Sequence, residues 1–278
     1  MGEAAIAKLA KKWLTASGIK SWLEDMKGSA AAVMSAASAL AGSDFPGRVL
    51  IALVADEEYA SLGAQDFVRR HNADACILTE PREGRLVLAH KGFVWADIVT
   101  TGKAAHGSRW DLGVSAIVKM GKIITALDRF DEQVLRNRTH PLVGPASQHC
   151  SMIRGGSGLS TYAEECSLQV ERRTLPGETP ERVMQELREV VRRSDERAQV
   201  RHLLERPALS CDANSKIAAC LGEAARTVTG QIPEIAGASY WMDAALFAAA
   251  GIPKDRRVQL KVACRKRDKG RQSGHRGQ

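Results

Sequence analysis

Two short apolar runs that each stop abruptly in carboxylates constrain this chain more than any other feature. Arg48-Val49-Leu50-Ile51-Ala52-Leu53-Val54-Ala55 is nearly continuous in apolar residues and gives way at once to Asp56-Glu57-Glu58. Ala75-Cys76-Ile77-Leu78 does the same into Thr79-Glu80-Pro81. A run without alternating polar positions suits a strand covered on both faces, as in a parallel sheet between helices. In open α/β sheets, ligands collect beyond the carboxyl ends of the strands. One acidic strand end reads equally well as a solvated turn or a helix cap. Two such ends place carboxylates where a ligand or ion would bind.

The rest of the chain organises around that pattern. Ile6, Leu9, Ala10, Trp13 and Leu14 share one helical face over residues 3–17, with Gly18 suited to a C-terminal cap. A second helix is expected over the Ala-rich stretch 29–40. From about Lys91 the texture changes. Strands are expected over 93–101, 147–154 and 161–173, and helices over 110–129 and 180–195. Strands interleaved with two helices suggest a small α+β sandwich inserted into the first domain. Helical patterning resumes over 215–228 and 242–250. The expected division is therefore a discontinuous α/β domain (1–90 and 204–253), an inserted domain (91–203) and a tail (254–278). The fold class is α/β, with a mostly parallel sheet flanked by helices and an α+β insertion.

Composition narrows the function classes. At 278 residues with 44% apolar and 26% charged residues, the chain is ordinary for a globular protein. It has no run of eighteen apolar residues, and its start lacks the basic and apolar regions of a secretion signal. The six cysteines form no C-x-x-C pair and read as reduced thiols of a cytoplasmic protein. The net charge of +8 resides entirely in the tail, where residues 254–278 hold ten basic and two acidic side chains. A solvated end is the plainer reading of that tail than a polyanion-binding arm. Membrane and nucleic acid are accordingly not expected as partners.

The chemistry-bearing residues each have a plain alternative. Asp25 precedes a helix and suits an N-cap. Glu57 and Glu58 are adjacent, so one can bind a metal while the other addresses a water, the division that metal-assisted hydrolysis needs; a solvent-facing acidic turn is the alternative. Glu80 sits at the second strand end. Together these carboxylates form a hard donor set for a divalent cation. His106 lies in a Gly/Ser-rich loop, Arg172 and Arg173 end a strand as a basic pair, and His140 and His149 suit packing or solvent as well as substrate.

Read in order, these segments resemble a known family. Asp25-Met26-Lys27-Gly28, Ala55-Asp56-Glu57-Glu58-Tyr59-Ala60-Ser61-Leu62-Gly63-Ala64 and Thr79-Glu80-Pro81 are similar to motifs of the acetylornithine deacetylases, succinyl-diaminopimelate desuccinylases, aminoacylases and carboxypeptidase-G-type enzymes. Gly102-Lys103-Ala104-Ala105-His106-Gly107-Ser108 and Arg172-Arg173-Thr174-Leu175-Pro176-Gly177-Glu178 resemble segments of that family's inserted dimerisation domain. Gly237 to Phe247, with Gly251-Ile252-Pro253, resembles its return to the catalytic domain. The likeness covers roughly residues 25–253 and the first helix. It implies a homodimeric zinc-dependent amide hydrolase acting on N-acyl amino acids or short peptides, with two zinc ions per site and cobalt as the alternative metal. By the same resemblance Asp25 bridges the ions and Glu58 and Glu80 bind one each. Glu57 is the general base, His106 steadies the oxyanion in the partner subunit's site, and Arg173 holds the substrate carboxylate.

Two departures qualify the expectation. The family places an H-x-D segment between its first helix and the Asp25 motif, whereas residues 18–24 contain no histidine. After Pro253 it continues to a further histidine ligand, whereas this chain turns to Lys254-Asp255-Arg256-Arg257, and His275 has no acidic context. Zinc prefers nitrogen and sulfur beside oxygen, so weak metal binding is expected. The alternative function is a non-catalytic, dimer-forming remnant.

Overall fold

The computed structural model describes residues 26–41, 43–44, 47–80, 84–194 and 196–251. The helix expected over 3–17, the metal candidate Asp25 and the basic tail lie outside them. In chain order the elements are α1 (Met26–Ala41), α2 (Leu62–Arg70), β1 (Leu86–His90), β2 (Gly92–Thr101), α3 (Ala116–Phe130), β3 (Thr139–His140), β4 (Gly144–Pro145), β5 (Ser147–Gly155), β6 (Glu165–Thr174), α4 (Pro180–Arg193), β7 (Ala198–Arg206), β8 (Leu209–Ser210), α5 (Lys216–Thr229), β9 (Ile235–Ala238) and α6 (Ala244–Ala249). A π-helical turn, Asp131–Leu135, extends α3. The chain divides into two compact units. One is Val87–Ala213 with Ile235–Ala245; the other is Met1–Leu86, Asn214–Glu234 and Leu246–Gln278.

The first of these units is built on a four-stranded sheet in the order β5-β6-β2-β7, with all neighbours antiparallel. Period-two alternation decides its faces. Val94, Ala96 and Ile98 of β2 and Cys166, Leu168 and Val170 of β6 point to one side. Met120, Ile123 and Leu127 of α3 and Val183, Leu187 and Val191 of α4 close over them. Each fully buried side chain of this kind contributes roughly 2 kcal/mol, so a one-residue slip in register would forfeit the whole layer. The helices start where their caps put them. The Ser115 hydroxyl accepts the Val118 N–H at 3.3 Å, and the Thr179 hydroxyl accepts the Arg182 N–H at 3.3 Å, with Pro180 opening α4.

Arg172 breaks the apolar pattern. It lies on the helix-facing side and is 1% exposed. Glu178 receives its guanidinium at 2.6 Å and also Arg138 at 3.4 Å, while Glu186 binds Arg138 at 2.6 Å. Burial pulls the Arg172 pKa down, and the two glutamates oppose that shift. A buried guanidinium without such partners would be strongly destabilising.

A loop over 102–114 projects from the end of β2. Lys103 and Val114 exchange backbone hydrogen bonds at 2.8 and 3.0 Å, the Tyr162 N–H donates to Ala105 at 2.9 Å, and the Gly107 N–H donates to Ser160 at 2.7 Å. A Cβ on Gly102 would overlap the carbonyl oxygens of Val114 and Ala163, so only glycine lets these strands of backbone close together. β8, β1 and β9 form a small second sheet, and β3 pairs with β4 as a hairpin.

The other unit corrects the sequence expectation. The sheets formed by the described residues are largely antiparallel, and residues 48–55 and 75–78 enter none of them. A strand has no internal hydrogen bonds and exists only against a neighbour. Both runs still bury apolar surface. Ala52 and Val54 pack with Ala64 of α2 and with Phe247, and Phe67, Val68, Cys76 and Leu78 surround them. Coverage is one-sided, because Ile51 and Leu53 are 40% and 65% exposed. Among the described residues no helix is long and apolar enough to cross a membrane.

Two outcomes follow for stability. Gly102→Ala should cost about 1–3 kcal/mol through overpacking, read as a lower urea midpoint. His90 of β1 is fully buried, its Nδ1 lies 2.9 Å from the Lys91 carbonyl and its Nε2 has no hydrogen-bond partner among the described residues. Burial lowers its pKa from 6.5 to about 4, with the bond to Lys91 opposing. The unfolded chain therefore binds more protons than the folded one between these values. The His90 contribution is fully present above about pH 6.5 and is lost as pH falls toward 4, by on the order of 3 kcal/mol. His90→Gln should flatten that slope in urea midpoints measured from pH 7.5 to 4.5.

Candidate active site

The carboxylate turn is folded by its own sequence. Asp56 takes a left-handed backbone (φ 70°), and its carbonyl accepts the N–H groups of Ser61 at 2.6 Å and Tyr59 at 3.3 Å. Its carboxylate accepts the Leu62 N–H at 3.4 Å. Ser61 is fully buried and also left-handed (φ 54°), and its hydroxyl donates to the Glu57 carbonyl at 3.4 Å. A Cβ on Gly63 would lie 2.6 Å from the nitrogen and 2.7 Å from the oxygen of Ala55. The Ser-x-Gly-Ala half of the segment thus folds the acidic half back onto the end of the 48–55 run. Two non-glycine residues in this region cost about 1–3 kcal/mol each, so the turn is held by its surroundings rather than by preference. Asp56 serves the turn itself, which leaves Glu57 and Glu58 as the chemical candidates.

Glu80 follows the second run, and Asp25 lies outside the described residues. Among the described residues no three His, Cys, Asp or Glu side chains gather as a cation site. Glu58 and Glu80 supply only carboxylate oxygen, whereas zinc prefers nitrogen and sulfur beside it. The described residues alone do not fit a zinc centre.

His106 sits on the braced 102–114 loop, exposed, with a backbone bridge to Thr161. Its Nδ1 accepts the Ser108 hydroxyl at 2.8 Å and the Ser108 N–H at 3.3 Å. With both bonds made to Nδ1, the neutral ring carries its proton on Nε2, which is then a donor. Asp111 fixes Arg109 in the same loop through two bonds of 2.9 and 2.7 Å. His140, by contrast, accepts the Leu142 N–H at 3.2 Å and serves its own turn.

Arg173 lies on the sheet face opposite the helices, next along the strand from buried Arg172. Its guanidinium meets Glu171 at 2.8 Å and covers the Phe93 ring at 5.6 Å from the centroid. Phe93 stacks on Trp95 at 5.0 Å. Trp95 donates its indole N–H to Glu171 at 3.2 Å, and His149 Nε2 lies 3.4 Å from the other carboxylate oxygen. Lys91 donates to the Pro145 carbonyl at 2.5 Å; burial first and the Arg173 charge second lower its pKa. Arg173 and His149 stand out in the sequence, whereas Glu171 and Lys91 do not. The signal for Glu171 was its position two residues before Arg173 on a strand, which puts both on one face.

Residues 88–198 match the peptidase dimerisation domain. Over 220 residues the chain is 30% identical to acetylornithine deacetylase of Myxococcus xanthus, a match covering 76% of this chain and 56% of that protein. Over 157 residues it is 31% identical to acetylornithine deacetylase of Vibrio atlanticus, covering 55% of this chain and 42% of that protein. The chain thus spans about half the length of the curated relatives it matches. Its fold resembles that of the aminopeptidase PepT of Bacillus cereus, with a TM-score of 0.59 at 21% identity over 74% of this chain and 53% of that one. It also resembles an M20 family metallo-carboxypeptidase of Sulfolobus solfataricus, with a TM-score of 0.57 at 16% identity over 71% of this chain and 59% of that one. A 220-residue likeness cannot be contained within residues 88–198. The chain is therefore similar to acetylornithine deacetylase over more than the segment that matches the peptidase dimerisation domain.

Proposed function

We propose that the protein is a homodimeric hydrolase of the amide bond in N-acyl amino acids or short peptides. The observation that carries this reading is the 220-residue likeness to acetylornithine deacetylase, which is longer than the segment matching the dimerisation domain. In this reading Arg173 takes the substrate carboxylate, because a planar guanidinium matches it with two parallel bonds. In the partner subunit's site, the Nε2–H of His106 donates to the oxygen that becomes negative as the carbonyl is attacked. Glu57 accepts the proton of the attacking water and passes it to the leaving amine. Asp25, Glu58 and Glu80 are assigned to cation binding, and an all-carboxylate set predicts weak affinity for zinc. Residues 91–203 are assigned to the inserted dimerisation domain.

The surface of that domain supports pairing with a second copy. β5 is an edge of the sheet, and its residues His149 to Gly155 are exposed. Met152 and Ile153 are 49% and 53% exposed, and on α3, which packs beside β5, Ile117 and Val118 are 44% and 63% exposed. An open edge flanked by apolar side chains favours strand addition. Sedimentation velocity should report a dimer, and Ile153→Asp should weaken it at least about tenfold, the effect of one charge forced into an apolar contact.

Catalysis has its own test. The purified chain, assayed for metal content and for acetate release from N-acetyl-L-ornithine, should lose turnover at least about a hundredfold in Glu57→Gln, the scale of a general base. Zinc-free protein without turnover, still dimeric, would instead support the non-catalytic reading that the missing histidine segments raise.

A further inference from the structure

Glu171 plays no part in the reading above, yet three side chains from three strands converge on it, on the sheet face opposite the helices. It is 9% exposed. Directly across from it stand His149 on β5 and Trp95 on β2, and Arg173 follows two residues later on its own strand. One oxygen receives the Trp95 indole N–H at 3.2 Å and the Arg173 guanidinium at 2.8 Å; the other faces His149 Nε2 at 3.4 Å. The carboxylate is therefore fixed from both neighbouring strands before it meets Arg173. The guanidinium is then held by Glu171 at one edge and by the Phe93 ring against one face.

This arrangement solves a problem that an arginine on an open sheet face would otherwise have. A long side chain must be frozen to receive a carboxylate, and freezing it beforehand removes that cost from binding. Charge matters too. Lys91 acts on Arg173 as a second cation and is itself tied to the Pro145 carbonyl. Glu171 offsets one of the two positive charges and leaves a net charge of one for an incoming carboxylate.

We infer that Glu171 is a positioning residue, holding Arg173 in the orientation that receives the carboxylate of an N-acyl amino acid. The inference rests on the reading that Arg173 takes that carboxylate. It is tested by calorimetric titration of the full chain with N-acetyl-L-ornithine, in wild type, Arg173→Ala, Glu171→Gln and Glu171→Asp, with the Tm of each. Glu171→Gln should weaken binding about tenfold, the loss of one charge-assisted hydrogen bond. Its Tm should stay close to wild type, and Glu171→Asp should recover most of the affinity. Where turnover is measurable, KM should rise while kcat holds. Wild-type affinity in Glu171→Gln alongside a loss in Arg173→Ala would overturn the role of Glu171 and leave that of Arg173. No binding by wild type, or undiminished binding by Arg173→Ala, would overturn the reading beneath it. Nitrogen-15 spectra of the wild type decide the matter should Glu171→Gln not fold: slow rotation of the Arg173 guanidinium is expected, and free rotation overturns the proposal.

Discussion

The antiparallel pairing of β6 between β2 and β5 is the constraint from which most of this structure follows. Ten registered pairs join β6 to β2, from Gly92 opposite Thr174 to Thr101 opposite Glu165. That ladder fixes which side chains share a face. One face becomes the apolar layer under α3 and α4, and the other gathers Phe93, Trp95, Glu171 and Arg173. Neither α3 nor α4 has an apolar stripe that could stay dry without that layer, so the helices depend on the strand pairing rather than the reverse. The 102–114 loop inherits its position from the same ladder, because it leaves β2 and is braced on the segment that leads into β6.

How much was legible in the sequence depended on whether an element's partner lay within the described chain. The strands expected over 93–101 and 147–154 form as Gly92–Thr101 and Ser147–Gly155, and the helix expected over 180–195 forms as Pro180–Arg193. Their alternation and caps are local signals with partners close at hand. The helix expected over 110–129 begins only at Ala116, because Ser115 caps it and the preceding residues are committed to the loop. The runs at 48–55 and 75–78 have the composition of buried parallel strands but form none. Parallel pairing is the least local contact a chain makes, and apolar composition cannot report whether the neighbouring strand is present.

The candidate site was legible to a similar degree and for the same reason. Glu57, Glu58, Glu80, His106 and Arg173 were picked out because each stands in a recognisable run of neighbours. What those runs did not reveal is which of their residues serve the backbone. Asp56, Ser61 and Gly63 turn out to build the carboxylate turn, through a left-handed carbonyl, a buried hydroxyl and a close backbone approach. Glu171 escaped notice because its significance lies in cross-strand neighbours, His149 and Trp95, that sit far from it in sequence.

Arg172 and Arg173 show how one strand can give two identical side chains different work. Adjacent on β6, they point to opposite faces. Arg172 enters the side covered by α4, is 1% exposed and is paired through Nη2 with Glu178 and Glu186. Arg173 enters the open side, where Glu171 and Phe93 steady it yet leave its side chain 30% exposed. A buried ion pair is costly to break and contributes little that apolar packing would not, so Arg172 tightens the module at its strand end. A partly exposed guanidinium on a prepared mount is suited instead to exchanging water for a ligand carboxylate. The difference comes from the pleat alone. A one-residue insertion or deletion in β6 ahead of the pair, if no bulge absorbed it, would exchange the two environments, turning Arg173 toward the core and Arg172 toward water.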